Sequence, residues 1–89
     1  MSRPQFTEKA WEEYLYWQSQ DKKILIKINK LIADIMRNGP MEGEGKPEAL
    51  RDNLNGYYSR RINEKDRLVY AVLQDEIVEI YSCRDHYQK

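Results

Sequence analysis

The only histidine of the chain, His86, is the side chain best suited to transfer a proton at neutral pH. Imidazole titrates close to neutrality, so it can give up a proton without extreme tuning of its surroundings. His86 stands beside Tyr87 after the last predicted strand, and Arg84 precedes it by two positions. A rigid sheet edge could therefore aim this side chain. The alternative, an incidental surface histidine, stays open at this point.

Glu48 is the second candidate for proton transfer. If the target is RNA, cleavage by attack of the neighbouring 2′-OH needs a base for that proton, a cation that holds the phosphate, and an acid for the leaving 5′ oxygen. With one histidine, the second proton carrier must be a carboxylate, and Glu48 lies near Lys46 and Arg51. Glutamate is ionised at neutral pH, so Glu48 would be the base and His86 the acid. The alternative for Glu48 is an acid favoured only by a local helix dipole.

Arginines and tyrosines concentrate in the second half of the chain. Arginine binds phosphate bidentately and stacks on bases. Tyrosine offers a flat surface to single-stranded RNA, although it is also simply a good strand former. These residues are Arg51, Arg60, Arg61, Arg67, Arg84, Tyr57, Tyr58, Tyr70, Tyr81 and Tyr87. The arginines would supply the cations that an RNA-cleaving site requires.

Other kinds of site find little support in the sequence. Cys83 and His86 cannot complete the four ligands of a usual zinc site, and residues 43–46 lack the spacing of a phosphate-binding loop. A serine or cysteine nucleophile is disfavoured because the chain has a single imidazole. We therefore expect general acid–base catalysis without a metal and without any other cofactor.

Length and charge limit the kind of protein. The chain has 89 residues with 15 basic and 15 acidic side chains, so its formal net charge is zero. This length predicts a single domain, residues 1–89, and the charge balance argues against a simple polycation. The single cysteine and the lack of a long apolar segment favour a cytoplasmic protein without a membrane span.

Two helices are predicted in the first half of the chain. Thr7 is the expected N-cap of the first helix, which ends near residues 18–20, and Asp21 is the expected N-cap of the second. Apolar residues recur at i, i+4, i+7, i+8 and i+11 from Ile24, which indicates one buried face. The sequence Asn-Gly-Pro at 38–40 ends this helix.

The remainder of the chain predicts a sheet. Runs of β-branched and aromatic residues that are spaced as in an antiparallel meander lie at 57–62, 67–73 and 77–83. Residues 3–6 would add an edge strand, and a turn at 63–66 would place Ile62 opposite Arg67. Residues 39–56 form a long loop with at most one helical turn, at 47–50. The predicted fold class is α+β, with two N-terminal helices packed on a twisted antiparallel sheet in the order β-α-α-β-β-β.

Several blocks of sequence, in this order, resemble one protein family. They are WEEYLYWQ at 11–18, GKPE at 45–48, NLNGYYSRRI at 53–62, RLVYAV at 67–72 and CRDHY at 83–87. Together they resemble the YoeB toxins, the Txe/YoeB branch of the RelE/ParE superfamily, over nearly the whole chain. The resemblance implies the RelE-like form of the fold predicted above. It also implies an mRNA endoribonuclease, or mRNA interferase, that acts in the decoding site of a translating ribosome.

The resemblance also implies roles for individual residues and partners for the chain. Glu48 matches the family's general base, Arg67 the arginine that stabilises charge on the phosphate, His86 the proposed acid, and Tyr87 a tyrosine that orients the substrate. Basic residues at the rim of the site are matched by Lys46 and Arg61, and Arg51 stands where lysine is common. The implied partners are a YefM-like antitoxin, the ribosome with its mRNA, a second copy of the chain, and operator DNA through the antitoxin complex.

The sequence departs from the family pattern at its end, and two other functions compete with the nuclease. Asp85 stands where an aromatic residue is common, and two polar residues follow Tyr87. One alternative is a ParE-like toxin that does not cut RNA, and the other is a small protein-interaction module. The chain retains Glu48, Arg67, His86 and Tyr87 together. This set favours the nuclease, because a binding module needs no acid and base.

Overall fold

The computed structural model describes residues 3–85, with only the backbone for Asp75. Two helices cover one face of a five-stranded sheet whose strand order is β1-β5-β4-β3-β2. The elements in chain order are β1 Arg3–Phe6, α1 Glu8–Gln20, α2 Lys22–Asn38, β2 Glu48–Ala49, β3 Tyr58–Arg61, β4 Arg67–Val72 and β5 Ile77–Ser82. The predicted α+β class and the two-helix layer are confirmed.

The predicted helix caps are confirmed. Thr7 Oγ1 accepts the N–H of Ala10 at 3.1 Å, and Asp21 Oδ1 accepts the N–H groups of Lys23 and Ile24 at 3.1 and 3.3 Å. These bonds satisfy backbone donors that the first turn of a helix leaves without a partner. Because Asp21 also ends α1, the two helices follow each other without a loop.

The core lies between α2 and the central strands. The predicted apolar stripe of α2 is buried, and it meets inward side chains of β4 and β5 in one cluster. The fully buried members of that cluster on these three elements are Ile28, Leu31, Leu68, Tyr70 and Ile80. The other face of the sheet is the one turned away from both helices, and we call it the open face.

The sheet is mixed rather than entirely antiparallel. The meander β3-β4-β5 is antiparallel as predicted, but the edge strand β1 runs parallel to β5, with Arg3 opposite Ile77 and Phe6 opposite Ile80. A parallel neighbour requires a long crossover, which α1, α2 and the following strands supply. Among the described residues, no helix is long and apolar enough to cross a membrane.

The helical turn predicted at 47–50 is wrong. Glu48–Ala49 forms the short strand β2, antiparallel to β3, and the Leu50 N–H continues the ladder with a 2.9 Å bond to the Tyr57 carbonyl. Pairing satisfies backbone groups at the edge of β3 that a helical turn would leave open. The observed order is therefore β-α-α-β-β-β-β, with one strand more than predicted.

The predicted register of the β3–β4 turn is also wrong, by one residue. Arg61 lies opposite Arg67, and the Ile62 N–H bonds the Asp66 carbonyl at 3.0 Å. The cause is the Asn63 side chain, whose Oδ1 accepts the Asp66 N–H at 2.6 Å and draws Asp66 back toward the ladder. A shift of one residue moves a side chain to the other face. Ile62 consequently enters the core, and Arg67 faces outward with Arg61.

Candidate active site

The open face carries the predicted base and two of the predicted cations. β2 pairs with β3 so that Glu48 lies opposite Ser59, and β3 pairs with β4 so that Arg61 lies opposite Arg67. Residues directly opposite each other share a face, as do residues two apart along a strand. Glu48, Arg61 and Arg67 are therefore on the same side of three adjacent strands.

The strand geometry sets the space between the base and the phosphate-binding cation. Two strand spacings of about 4.8 Å and an offset of two residues, about 6.7 Å, put the Cα atoms of Glu48 and Arg67 roughly 12 Å apart. Both side chains are long, and Arg61 lies between their strands. The gap is wide enough for a phosphodiester group to lie between a carboxylate and a guanidinium.

Arg61 and Arg67 form a pair of like charges. Like charges directly opposite each other destabilise a sheet, and this pair lies on the open face at the end of the β3–β4 ladder that adjoins the turn. Local rules of sheet stability are therefore broken at this point, which is typical of a functional site. An anion between the two guanidinium groups would remove the repulsion.

Close packing of the loop before β2 brings Lys46 to the same group. The Arg61 N–H donates to the Gly45 carbonyl at 2.6 Å. Gly45 has a φ of +83°, and a Cβ on it would lie 3.0 Å from the Leu31 side chain and 3.1 Å from Cβ of Arg60. Only glycine accepts this conformation and this contact without strain. The backbone position of Gly45 is therefore fixed beside Arg61, and Lys46 is the next residue along the chain.

Arg60, on the core face of the sheet, binds the rest of that loop. Its side chain is fully buried, and its five N–H donors make five bonds. Nη2 donates to the carbonyls of Gly39 and Glu42 at 2.9 and 2.7 Å, and Nη1 to the carbonyl of Glu44 at 2.9 Å and to Asp34 Oδ2. The fifth donor, Nε, bonds the Tyr70 hydroxyl at 3.0 Å.

Asp34 completes this buried network. Its carboxylate also accepts the Glu44 N–H at 3.0 Å and the Asn38 side-chain amide at 2.8 Å. Hydrogen bonds from the Glu44 N–H and from Arg60 lower the pKa of Asp34 below its ordinary value. A Cβ on Gly43 would overlap Asp34 Oδ2, so the loop can approach this carboxylate only with glycine at that position.

The segment after β5 is fastened to α1. The Cys83 N–H donates to Glu13 Oε1, and the Cys83 carbonyl accepts the indole N–H of Trp17, both at 2.8 Å. Desolvation by burial raises the pKa of Glu13, although the bond from Cys83 acts in the opposite direction. The path of the chain is fixed up to Asp85, whereas His86 and Tyr87 lie outside the described residues.

Arg84 and Arg51 do not join the group on the open face. The Arg84 guanidinium lies 3.7 Å from the centre of the Tyr16 ring on α1, in a cation–π contact. Arg51 is exposed and begins the turn that joins β2 to β3, beyond the end of β2 that is farther from Arg61. Of the four predicted phosphate-binding residues, Lys46 and Arg61 are the two that lie near Glu48 and Arg67.

Comparison with known proteins identifies the family. The family model described as a YoeB-like toxin of bacterial type II toxin–antitoxin systems matches residues 6–87. The chain belongs to this family. Toxin YoeB of Escherichia coli K12 is 55% identical over 82 residues, which cover 92% of this chain and 95% of that protein.

Solved structures of similar proteins agree with the toxin family. The matching chain of a heterotetrameric YoeB–YefM complex from Staphylococcus aureus is 52% identical, with a TM-score of 0.89 over 98% of the toxin and 99% of that chain. A YoeB dimer from the same organism is also 52% identical, with a TM-score of 0.88 over 96% of the toxin and 97% of that chain. The family resemblance seen in the sequence is confirmed.

The cysteine of the toxin is unsuited to nucleophilic chemistry. Cys83 is fully buried, and its thiol lies 3.7 Å from the Ala10 carbonyl. Desolvation by burial raises its pKa to about 12, so the reactive thiolate does not form at neutral pH. Within residues 3–85, no group of three or more His, Cys, Asp or Glu side chains could hold a metal ion.

Sequence reasoning missed the structural roles of Arg60, Asp34 and Asp66. Arg60 lies two positions after Tyr58 and two before Ile62, so the period of a strand places it on the same core face as these two residues. An inward cation needs a buried anion, and Asp34 lies at the border of the apolar stripe of α2, three positions after Leu31. These two signals, taken together, could have found the pair. Asp66 carries no comparable signal, because an acid in a turn is usually exposed.

Proposed function

We propose that this toxin is an endoribonuclease that cleaves mRNA in the decoding site of the translating ribosome and so blocks translation. The observation that carries the proposal is the like-charge pair Arg61 and Arg67 on the open face, with Glu48 on the neighbouring strand. A site built only for binding RNA would need the cations but not the carboxylate. The YoeB-like family membership supports the same activity.

The proposed reaction is a metal-free transesterification of the RNA phosphodiester. Glu48 takes the proton of the 2′-OH, which attacks the adjacent phosphorus. Arg67 stabilises the charge that develops on the phosphate, and Lys46 and Arg61 hold neighbouring phosphates. His86 gives a proton to the leaving 5′ oxygen, and Tyr87 orients the substrate. Arg51 and Arg84 remain predicted RNA contacts outside this central group.

The ribosome is the proposed source of the substrate. A protein with zero net charge has little long-range attraction to free RNA, since counterion release drives such binding. Presentation of the mRNA in the decoding site would replace that attraction with positioning. The toxin should therefore cut translated mRNA much faster than naked RNA, and equal rates on both would contradict this part of the proposal.

The proposed partners follow the solved relatives. A YoeB–YefM complex and a YoeB dimer are known for Staphylococcus aureus. We infer that a YefM-like antitoxin inhibits this toxin, that the toxin forms a homodimer, and that operator DNA is bound only through the antitoxin complex. An acidic antitoxin segment could neutralise the cations of the open face. Action on ribosomes would place the toxin in the cytoplasm.

Primer extension on mRNA translated in a reconstituted system tests the activity. Wild type should produce new 5′ ends at ribosomal positions. Glu48→Gln and Arg67→Met should each lower the cleavage rate by about 100-fold or more, because they remove the base and the phosphate-binding cation. Glu12→Gln and Arg37→Met make the same charge changes at exposed positions of the helices, and they should cleave normally. Cleavage by Glu48→Gln at the wild-type rate would overturn the proposed mechanism.

A further inference from the structure

Asp66 is a buried carboxylate at the β3–β4 turn, directly before Arg67. Its side chain is almost inaccessible, and both of its oxygens accept hydrogen bonds. Oδ1 accepts the Asp85 N–H at 2.7 Å, and Oδ2 accepts the Asn63 side-chain amide at 3.1 Å. One carboxylate thus joins the turn to the segment that follows β5. An acidic residue that served only solubility would be exposed. Burial of a charged side chain is unfavourable unless its polar atoms are hydrogen-bonded.

The bond from the Asn63 amide to Asp66 Oδ2 shapes the turn that orients Arg67. Asn63 is held at both ends of its side chain, because Oδ1 accepts the N–H groups of Lys65 and Asp66 at 2.9 and 2.6 Å. In this conformation the turn presents the carbonyls of Asn63, Glu64 and Asp66 to the Arg67 guanidinium. They accept bonds from Nη1 at 2.8, 3.1 and 3.1 Å.

The turn therefore binds one edge of the guanidinium and not the other. The three bonds all come from Nη1, so they do not use Nε–H and Nη2–H of Arg67. A phosphate binds a guanidinium through two parallel N–H donors. Because the turn fixes Nη1, the Arg67 side chain is already oriented for that contact. It therefore loses little conformational freedom when a phosphate binds.

The bond from the Asp85 N–H to Asp66 Oδ1 ties the same arginine to the end of the described chain. Asp85 donates its N–H to Asp66, and its carbonyl accepts the Arg67 N–H at 3.1 Å. Asp85 has a φ of +63°, an uncommon conformation that these bonds help to hold. The next residues in the sequence are His86 and Tyr87.

We propose that Asp66 is a positioning residue, which orients Arg67 for the scissile phosphate. The proposal rests on the proposed function, in which Arg67 binds that phosphate. Asp66 does not contact the substrate, so its effect should be on the rate of the chemical step rather than on substrate binding.

Single-turnover cleavage of ribosome-bound mRNA by Asp66→Asn tests this role. The substitution keeps the size of the side chain but cannot supply two acceptor oxygens. We expect the maximal rate to fall by about 10- to 100-fold, as misplacement of a catalytic group does, while the toxin concentration for half-maximal rate changes less than about twofold. Glu12→Gln removes the same charge from an exposed site and should match wild type. A wild-type rate for Asp66→Asn would overturn the proposal.

A double-mutant cycle with Arg67→Met separates positioning from general stabilisation. If Asp66 acts through Arg67, Asp66→Asn should slow Arg67→Met by much less than it slows wild type. Equal slowing in both backgrounds would overturn the proposal. If circular dichroism shows Asp66→Asn to be unfolded, Asn63→Ala, which removes one partner of Asp66, replaces it in the same cycle. Wild-type cleavage by Arg67→Met would overturn the proposed function itself, whereas a slow Arg67→Met with a normal Asp66→Asn would overturn only the positioning role.

Discussion

Arg60 and Arg61 are neighbours in β3, but they lie on opposite faces of the sheet and in opposite environments. Arg60 points into the core, is fully buried and makes five hydrogen bonds. Arg61 is exposed on the open face opposite Arg67. The side-chain period of a strand alone separates the two.

The comparison shows how one residue type can serve structure and function in adjacent positions. On the core side, every donor of the guanidinium has a protein acceptor, so Arg60 fixes the loop that leads to Lys46 and Glu48. On the open side, two arginines repel each other, and the turn bonds Arg67 through Nη1 alone, so these bonds leave its Nε–H and Nη2–H for an anion. The buried arginine therefore stabilises the fold, while the repulsion between Arg61 and Arg67 reduces its stability in favour of binding.

The largest expected effect separates Arg60 from Arg61 by stability. Arg60→Met should lower the free energy of unfolding by about 3–5 kcal/mol, because it breaks a buried ion pair and leaves several carbonyls without donors. Arg61→Met should change it by less than about 0.5 kcal/mol, because the side chain is exposed and relief of repulsion offsets lost contacts. Urea unfolding followed by circular dichroism measures both. Equal losses for the two variants would contradict the assigned difference between the faces.

A smaller effect compares one tyrosine from each face. Tyr70→Phe should lower the free energy of unfolding by about 1–2 kcal/mol, since the Tyr70 hydroxyl accepts from Arg60 Nε and donates to the Pro40 carbonyl at 2.6 Å inside the core. The control is Tyr57→Phe, which removes a 3.3 Å bond to Glu79 on the open face. It should change stability by about 0.5 kcal/mol or less. The same unfolding measurement decides whether the hydroxyl of Tyr70 matters more.

Features governed by local rules could be predicted from the sequence. The Asp21 cap and the apolar stripe of α2 depend on residues within a few positions of each other, and both are confirmed. The meander was predicted for the same reason. Glu48, Arg61 and Arg67 could be named as candidates from their chemistry and from the family resemblance. Their presence on one face follows only from the observed register.

Features that depend on distant partners could not be predicted in the same way. β2 has only two residues, and it is a strand because β3 offers an unpaired edge. The turn register depends on which backbone groups the Asn63 side chain bonds. Arg60 and Asp34 are 26 positions apart, so neither position alone reveals the pair. In each case the deciding interaction is tertiary, and local propensity yields to it.

The smallest expected effect is on stability at acid pH, where the buried ion pair should respond and the exposed Arg61 should not. The pKa of Asp34 is lowered by the bonds from the Glu44 N–H and Arg60. A carboxyl group with a lowered folded-state pKa contributes stability that is complete above the unfolded-state value and is lost as pH falls through the folded-state value. We expect the Tm of wild type to fall more steeply than that of Asp34→Asn below about pH 4. Arg61→Met should keep the wild-type slope, because Arg61 is not bonded to that carboxylate. Parallel Tm curves for wild type and Asp34→Asn between about pH 2 and pH 6 would mean that Asp34 titrates alike in the folded and unfolded states. The buried ion pair would then contribute no more to the acid dependence of stability than the exposed Arg61 does.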